Sequence, residues 1–142
     1  MEEDKSGLLK SLFENDDSKE EINRITEKII GCAYKVANEL GCGFLEKVYE
    51  NALAYEIRKL DLKIEQQKQI KVFYDKFEVG FYETDLLVEN VVLVELKTVK
   101  NLDDVHKAQC LNYLKATGLK ICLLINFGNP RVEVKRFVLW KI

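Results

Sequence analysis

Between Leu60 and Ile64 the apolar period of this 142-residue chain changes. Upstream, Ile22, Ile25, Ile29, Ala33, Val36, Ala37 and Leu40 recur every three or four residues, the spacing of one helix face. Leu45, Val48, Ala52, Leu53, Ile57 and Leu60 repeat that pattern. Downstream, Ile64, Ile70, Val72 and Tyr74 alternate with polar residues, as a half-buried strand does. A chain with both periods calls for helices packed on a sheet.

Local signals place the elements. Ser18-Lys19-Glu20-Glu21 reads as a capping box and predicts a helix start. Gly41 and Gly43 end that helix, and a second is expected from Phe44 to Leu60. Asp75-Lys76 reads as a turn, with strands expected at Val79–Val88 and Val91–Lys97. Asp103 or Asp104 can cap a helix that stops at Gly118. Ile121 to Phe127 is nearly all apolar and predicts a strand buried on both faces. After Gly128-Asn129-Pro130, the alternation of Val132, Val134 and Val138 predicts a last strand. The expected order is α-α-β-β-β-α-β-β, an α/β fold with a mixed central sheet flanked by helices. Residues 1–17 are charged and aperiodic and are expected to form a flexible acidic arm; residues 18–142 are expected to form a single domain.

Composition excludes several functions. No apolar stretch is long enough to span a bilayer, so no membrane partner is expected. The formal net charge is −2, which gives no whole-molecule positive field for nucleic acid. The charge is uneven, however, at −5 over residues 1–21 and +5 over residues 91–142. Cys32, Cys42, Cys110 and Cys122 lack Cys-x-x-Cys spacing, and three of them sit in apolar segments as core residues. Free thiols without an export signal point to the cytoplasm. His106, the sole histidine, has no serine near it in sequence, and no phosphate-binding glycine loop is present.

The unusual residues are Glu95-Leu96-Lys97, which close the apolar run Val91–Val94. Charges there are costly unless paired or functional. Glu95 and Lys97 share one face of a strand while Leu96 takes the other. Asp85 is the matching acid on the preceding strand. With a two-residue loop at Glu89-Asn90, Asp85 would pair with Val94 and point away from Glu95. A three-residue loop or a bulge would set Asp85 opposite Glu95. The alternative is a cross-strand ion pair between Asp85 and Lys97. Glu46, Tyr49 and Glu50 can share one side of the second helix, and His106, Gln109 and Tyr113 one side of the third. Taken alone, each set is an ordinary polar helix face.

Taken together, the motifs form a pattern. Gly43-x-x-Glu46-x-x-Tyr49, Asp85-Leu86-Leu87-Val88, Glu95-Leu96-Lys97, His106-x-x-Gln109-x-x-x-Tyr113 and Asn126-Phe127-Gly128 follow one another in this order. This pattern resembles the GxxExxY protein family, itself similar to the PD-(D/E)xK nuclease superfamily. The resemblance covers residues 22 to 140. It implies a restriction-endonuclease-like core with Asp85, Glu95 and the carbonyl of Leu96 as ligands of Mg²⁺ or Mn²⁺, and Glu46 supporting the metal. Lys97 would orient the attacking water or stabilise phosphate charge. Gln109 and Tyr113 match a Gln-x-x-x-Tyr signature that helps hold DNA and the active site. Tyr49 belongs to the motif without an assigned role. Thr84 stands where proline is common, and Glu83 where relatives often carry a basic residue.

The expected function is therefore metal-dependent phosphodiester hydrolysis of nucleic acid, with DNA the expected substrate. Lys100, Lys107, Lys115, Arg131, Lys135 and Arg136 are candidates for backbone contacts. The alternative is a non-catalytic module on the same fold that binds nucleic acid or protein. A homodimer or a protein partner is left open.

Overall fold

The computed structural model describes the backbone of residues 2–139 and the side chains of residues 18–139. Its elements are α1 (Glu2–Leu40), α2 (Glu46–Arg58), β1 (Ile64–Tyr74), β2 (Phe77–Val88), β3 (Val92–Lys97), α3 (Asp104–Thr117), β4 (Ile121–Asn126) and β5 (Glu133–Val138). The order is the expected one. One helix boundary is corrected: α1 continues through Ser18–Glu21, so the capping-box sequence lies inside the helix. A capping box is only a local option, and neither a proline nor a glycine stands beside it to stop the helix. The expected arm, residues 1–17, lies outside the described side chains.

The five strands form one sheet in sequence order, β1-β2-β3-β4-β5. β3 and β4 are parallel, joined through α3, and every other neighbouring pair is antiparallel. Strand alternation then sorts the core. Leu86, Val88, Val92, Val94, Leu96 and Ile121 pack with α1 and α2 on one face. Leu87, Leu93, Cys122 and Leu124 pack with Cys110, Tyr113 and Leu114 of α3 on the other. β4 is buried along its whole length, as its apolar run predicts. Cys32, Cys110 and Cys122 are buried free thiols and Cys42 is exposed. Among the described residues, no helix is long and apolar enough to cross a membrane.

Three local devices position the chemistry. At Asp75-Lys76 both residues have positive φ, 49° and 69°, and join Tyr74 to Phe77 in a tight hairpin turn. Glu89 and Asn90 repeat this with φ of 53° and 56°, and the Val91 N–H donates to the Val88 carbonyl. The ladder nevertheless resumes at Val88 opposite Val92, leaving Val91 as an extra residue. At Asp103 the side chain accepts from the N–H groups of Val105 and His106, and His106 Nδ1 accepts from the Asp103 N–H. His106 is thus held as a helix cap.

Candidate active site

The extra residue at Val91 sets the register. Leu86 faces Val94, so one further step brings Asp85 opposite Glu95. Here the main-chain ladder gives way to side-chain bonds. The Leu96 N–H donates to Asp85 Oδ2 at 2.7 Å, and the Asp85 N–H donates to Glu95 Oε1 at 3.4 Å. Glu95 Oε1 also accepts from the Thr84 hydroxyl at 2.7 Å. Thr84 therefore orients the acid.

Both acids are electrostatically loaded. Glu95 is 5 % exposed, and its carboxyl is pushed up to about 8, first by burial and then by the charge of Asp85. Burial also raises the Asp85 carboxyl, against the lowering effect of its bonds from Leu96 and Gln67. Lys97 is partly buried, and its charge reaches Glu46, Asp85 and Glu95. It forms no ion pair with any of them among the described residues, so the cross-strand pair with Asp85 is not made.

Two groups aim these side chains. Gln67 stands opposite Asp85 on β1 with φ 53°, in the left-handed region that a side chain rarely adopts. Its amide donates to Asp85 Oδ1 at 3.2 Å and to Glu50 Oε1 at 2.6 Å. Glu50, 3 % exposed, also accepts from Gln66 and Lys47. The sheet changes face at this point: Leu86 and Val88 pack toward α1 and α2, whereas Tyr82, of the same strand parity, packs toward α3. Sequence reasoning missed Gln67. Alternation carries no sign of a positive φ in a polar run. Behind Lys97, buried Asn126 accepts from the Val99 and Gly128 N–H groups and donates to the Val99 carbonyl. A side chain on Gly128 would meet Val99 O at 2.1 Å, which explains the glycine.

The remaining motif residues divide into structural and facing groups. Tyr49 is fully buried, stacks on Phe127 at 4.7 Å, donates to the Gly41 carbonyl at 2.6 Å and accepts from the Phe44 N–H. It pins the loop that starts α2 and so fixes Glu46. The Glu46 carboxyl is raised by burial and then by Asp85, with Lys97 opposing. Tyr113 stacks on Tyr82 at 3.8 Å and receives a hydrogen bond on its carbonyl from the Tyr82 hydroxyl. Burial, followed by the charge of Glu95, raises both phenols. Gln109 lies one turn before Tyr113 and makes no hydrogen bond to the acids among the described residues. The candidate basic residues are not gathered into one patch. Lys115 lies beside Tyr113 on the α3 side, whereas Arg136 bonds Asn23 of α1.

Among the described residues no three His, Cys, Asp or Glu side chains cluster closely enough to hold an ion. Asp85 and Glu95 nonetheless meet side by side. An extended residue points its N–H and C=O to the same edge, so the Leu96 carbonyl faces the edge that its N–H shares with Asp85. Two carboxylates and a carbonyl are oxygen donors of the kind Mg²⁺ takes with several waters. The set fits such an ion.

A family model described as PD-(D/E)XK nuclease superfamily matches residues 23–137. The crystal structure of SSO0001 aligns with a TM-score of 0.48 and 15 % identity, covering 65 % of this chain and 50 % of that one. This chain thus spans half the length of that protein. No curated protein matches.

Proposed function

The chain belongs to the PD-(D/E)XK nuclease superfamily, and from that premise we propose that it hydrolyses phosphodiester bonds of nucleic acid, with DNA as substrate and Mg²⁺ or Mn²⁺ as cofactor. Within the superfamily we assign it to the GxxExxY group on its five ordered motifs, and its free thiols favour a cytoplasmic setting. The observation that carries the reading is the register that seats Asp85 against Glu95 and Leu96.

In this reading Asp85, Glu95 and the Leu96 carbonyl hold the cation and Glu46 supports it from α2. The bound cation supplies Lewis-acid charge at the scissile phosphate. Lys97, whose ammonium makes no ion pair among the described residues, offers it to a phosphate oxygen or to the attacking water. Water adds to phosphorus as the P–O bond to the leaving nucleotide breaks; the attacking water gives a proton to solvent and the leaving oxygen takes one up. Tyr113, its phenol raised by burial, stays protonated and acts as a hydrogen-bond donor. Gln109 stands one turn away on the same side.

The test is incubation with single- and double-stranded DNA and RNA, with Mg²⁺, Mn²⁺ or chelator, beside Glu95→Ala and Lys97→Ala. The expected result is metal-dependent cleavage that both substitutions abolish. Folded protein that cleaves no substrate, or cleavage unchanged in both variants, would turn the reading toward a binding module.

A further inference from the structure

We propose that the groove between the β1–β2 hairpin and α3 is a subsite for an unpaired nucleotide, so that the substrate is single-stranded next to the cleaved bond. The proposal rests on the nuclease reading for its placement but not for its test.

The hairpin runs well past its neighbour. β3 pairs only with residues 86–88 of β2, and the distal ribbon stands clear of the sheet. Between that ribbon and α3 lies a cavity of about 570 Å³. Val72, Phe73 and Tyr82 form one wall, and Gln109, Asn112 and Lys115 the other, with Tyr113 at the base. The cavity lies near the acid pair: Tyr82, in its wall, is two residues along β2 from Thr84, whose hydroxyl bonds Glu95 at 2.7 Å.

The lining has the chemistry of a nucleotide site. Phe73 is 60 % exposed at the lip and has no ring partner among the described residues, so a base can stack on it. Gln109 and Asn112 carry amides without hydrogen-bond partners among the described residues. A free side-chain amide offers a donor and an acceptor, the complement of a base edge. Among the described residues no carboxylate lines the groove, although the chain has more acids than bases, and the one charged side chain there is Lys115. That sign suits a phosphate. Stacking needs the face of the base, which a duplex hides, so the site selects an unpaired strand.

The test measures binding without turnover, in chelator at low salt, with the full chain and fluorescein-labelled 12-residue probes. The probes are single-stranded DNA, single-stranded RNA, blunt DNA duplex, and single-stranded DNA with abasic sites. Single strands are expected to bind more tightly than duplex or abasic probes. Phe73→Ala and Asn112→Ala should weaken single-strand binding by roughly five-fold to a hundred-fold while duplex binding holds. Phe73→Tyr should restore it. Equal binding of single strand and duplex, or no effect of Phe73→Ala in a folded protein, overturns the subsite. So does a dimer that Phe73→Ala dissociates with probe binding unchanged, since the lip is then an interface between two copies. Failure of the subsite leaves metal-dependent cleavage standing. Failure of cleavage leaves Phe73-dependent binding standing.

Discussion

The backbone N–H of Leu96 donates to the Asp85 carboxylate at 2.7 Å, and the Asp85 N–H in turn faces the Glu95 carboxylate at 3.4 Å. Asp85 and the facing Glu95-Leu96 segment of β3 thus exchange main-chain donors for side-chain acceptors. The sheet gives up ladder bonds at this point and gains a pair of buried carboxylates. Their burial costs stability in the free protein, and a bound cation would offset that cost.

Removing one of these charges should therefore stabilise the metal-free fold. Glu95→Gln keeps the shape and an acceptor for Thr84. Its thermal midpoint in chelator should rise by a few degrees, about 1 kcal/mol or more. Excess Mg²⁺ should raise the wild-type midpoint and leave the variant unmoved. A lower midpoint for Glu95→Gln in chelator would contradict the argument.

Gln67 should act through Asp85. Gln67→Ala removes the bonds to Asp85 and Glu50 but leaves every proposed ligand in place. Cleavage should fall about ten-fold or more, with the metal concentration at half-activity shifted upward. A purely structural role would lower stability without moving the metal midpoint, so titrating metal in both proteins separates the two.

Tyr49 should prove structural. Tyr49→Phe loses the bond to the Gly41 carbonyl and the bond from the Phe44 N–H, and should cost about 1–2 kcal/mol in urea unfolding. Tyr49→Ala also opens a cavity against Phe127 and should cost about 3–5 kcal/mol. Cleavage by Tyr49→Phe should stay near wild type at a temperature where it is folded. A large loss of activity in that stable variant would give the hydroxyl a chemical part.

Two glycines should respond in opposite ways to alanine. Gly128→Ala drives a methyl into the Val99 carbonyl, 2.1 Å from the ideal Cβ, and shifts the segment that follows Lys97. It should destabilise by several kcal/mol, on the order of the largest single-site effects, and lower activity. Gly31 sits within α1 with nothing near an added Cβ. Gly31→Ala should stabilise by up to about 1 kcal/mol. Unfolding curves of the two variants give both signs in one experiment.

The order of elements was legible in the sequence because burial on one face writes a period into the chain. Ile22 to Leu40 carried the spacing of an amphipathic helix, and Ile121 to Phe127 read as a strand covered on both sides. Gly118 marked a real helix end, whereas Ser18 marked none, because a cap is decided by which backbone groups lack partners. Glu95, Lys97 and Asp85 could be singled out since charge beside an apolar strand is costly. Whether they met could not be read from the chain. That depended on one residue, Val91, outside the ladder, and a shift of one reverses the face of every side chain along a strand. Gln67 and the groove behind Phe73 were equally invisible. A positive φ in a polar run leaves no pattern, and a cavity exists only once the hairpin and α3 stand against each other. The sequence by itself determined which residues are buried and in which elements; the tertiary structure alone decided which polar groups face one another, because register and packing are properties of pairs of segments.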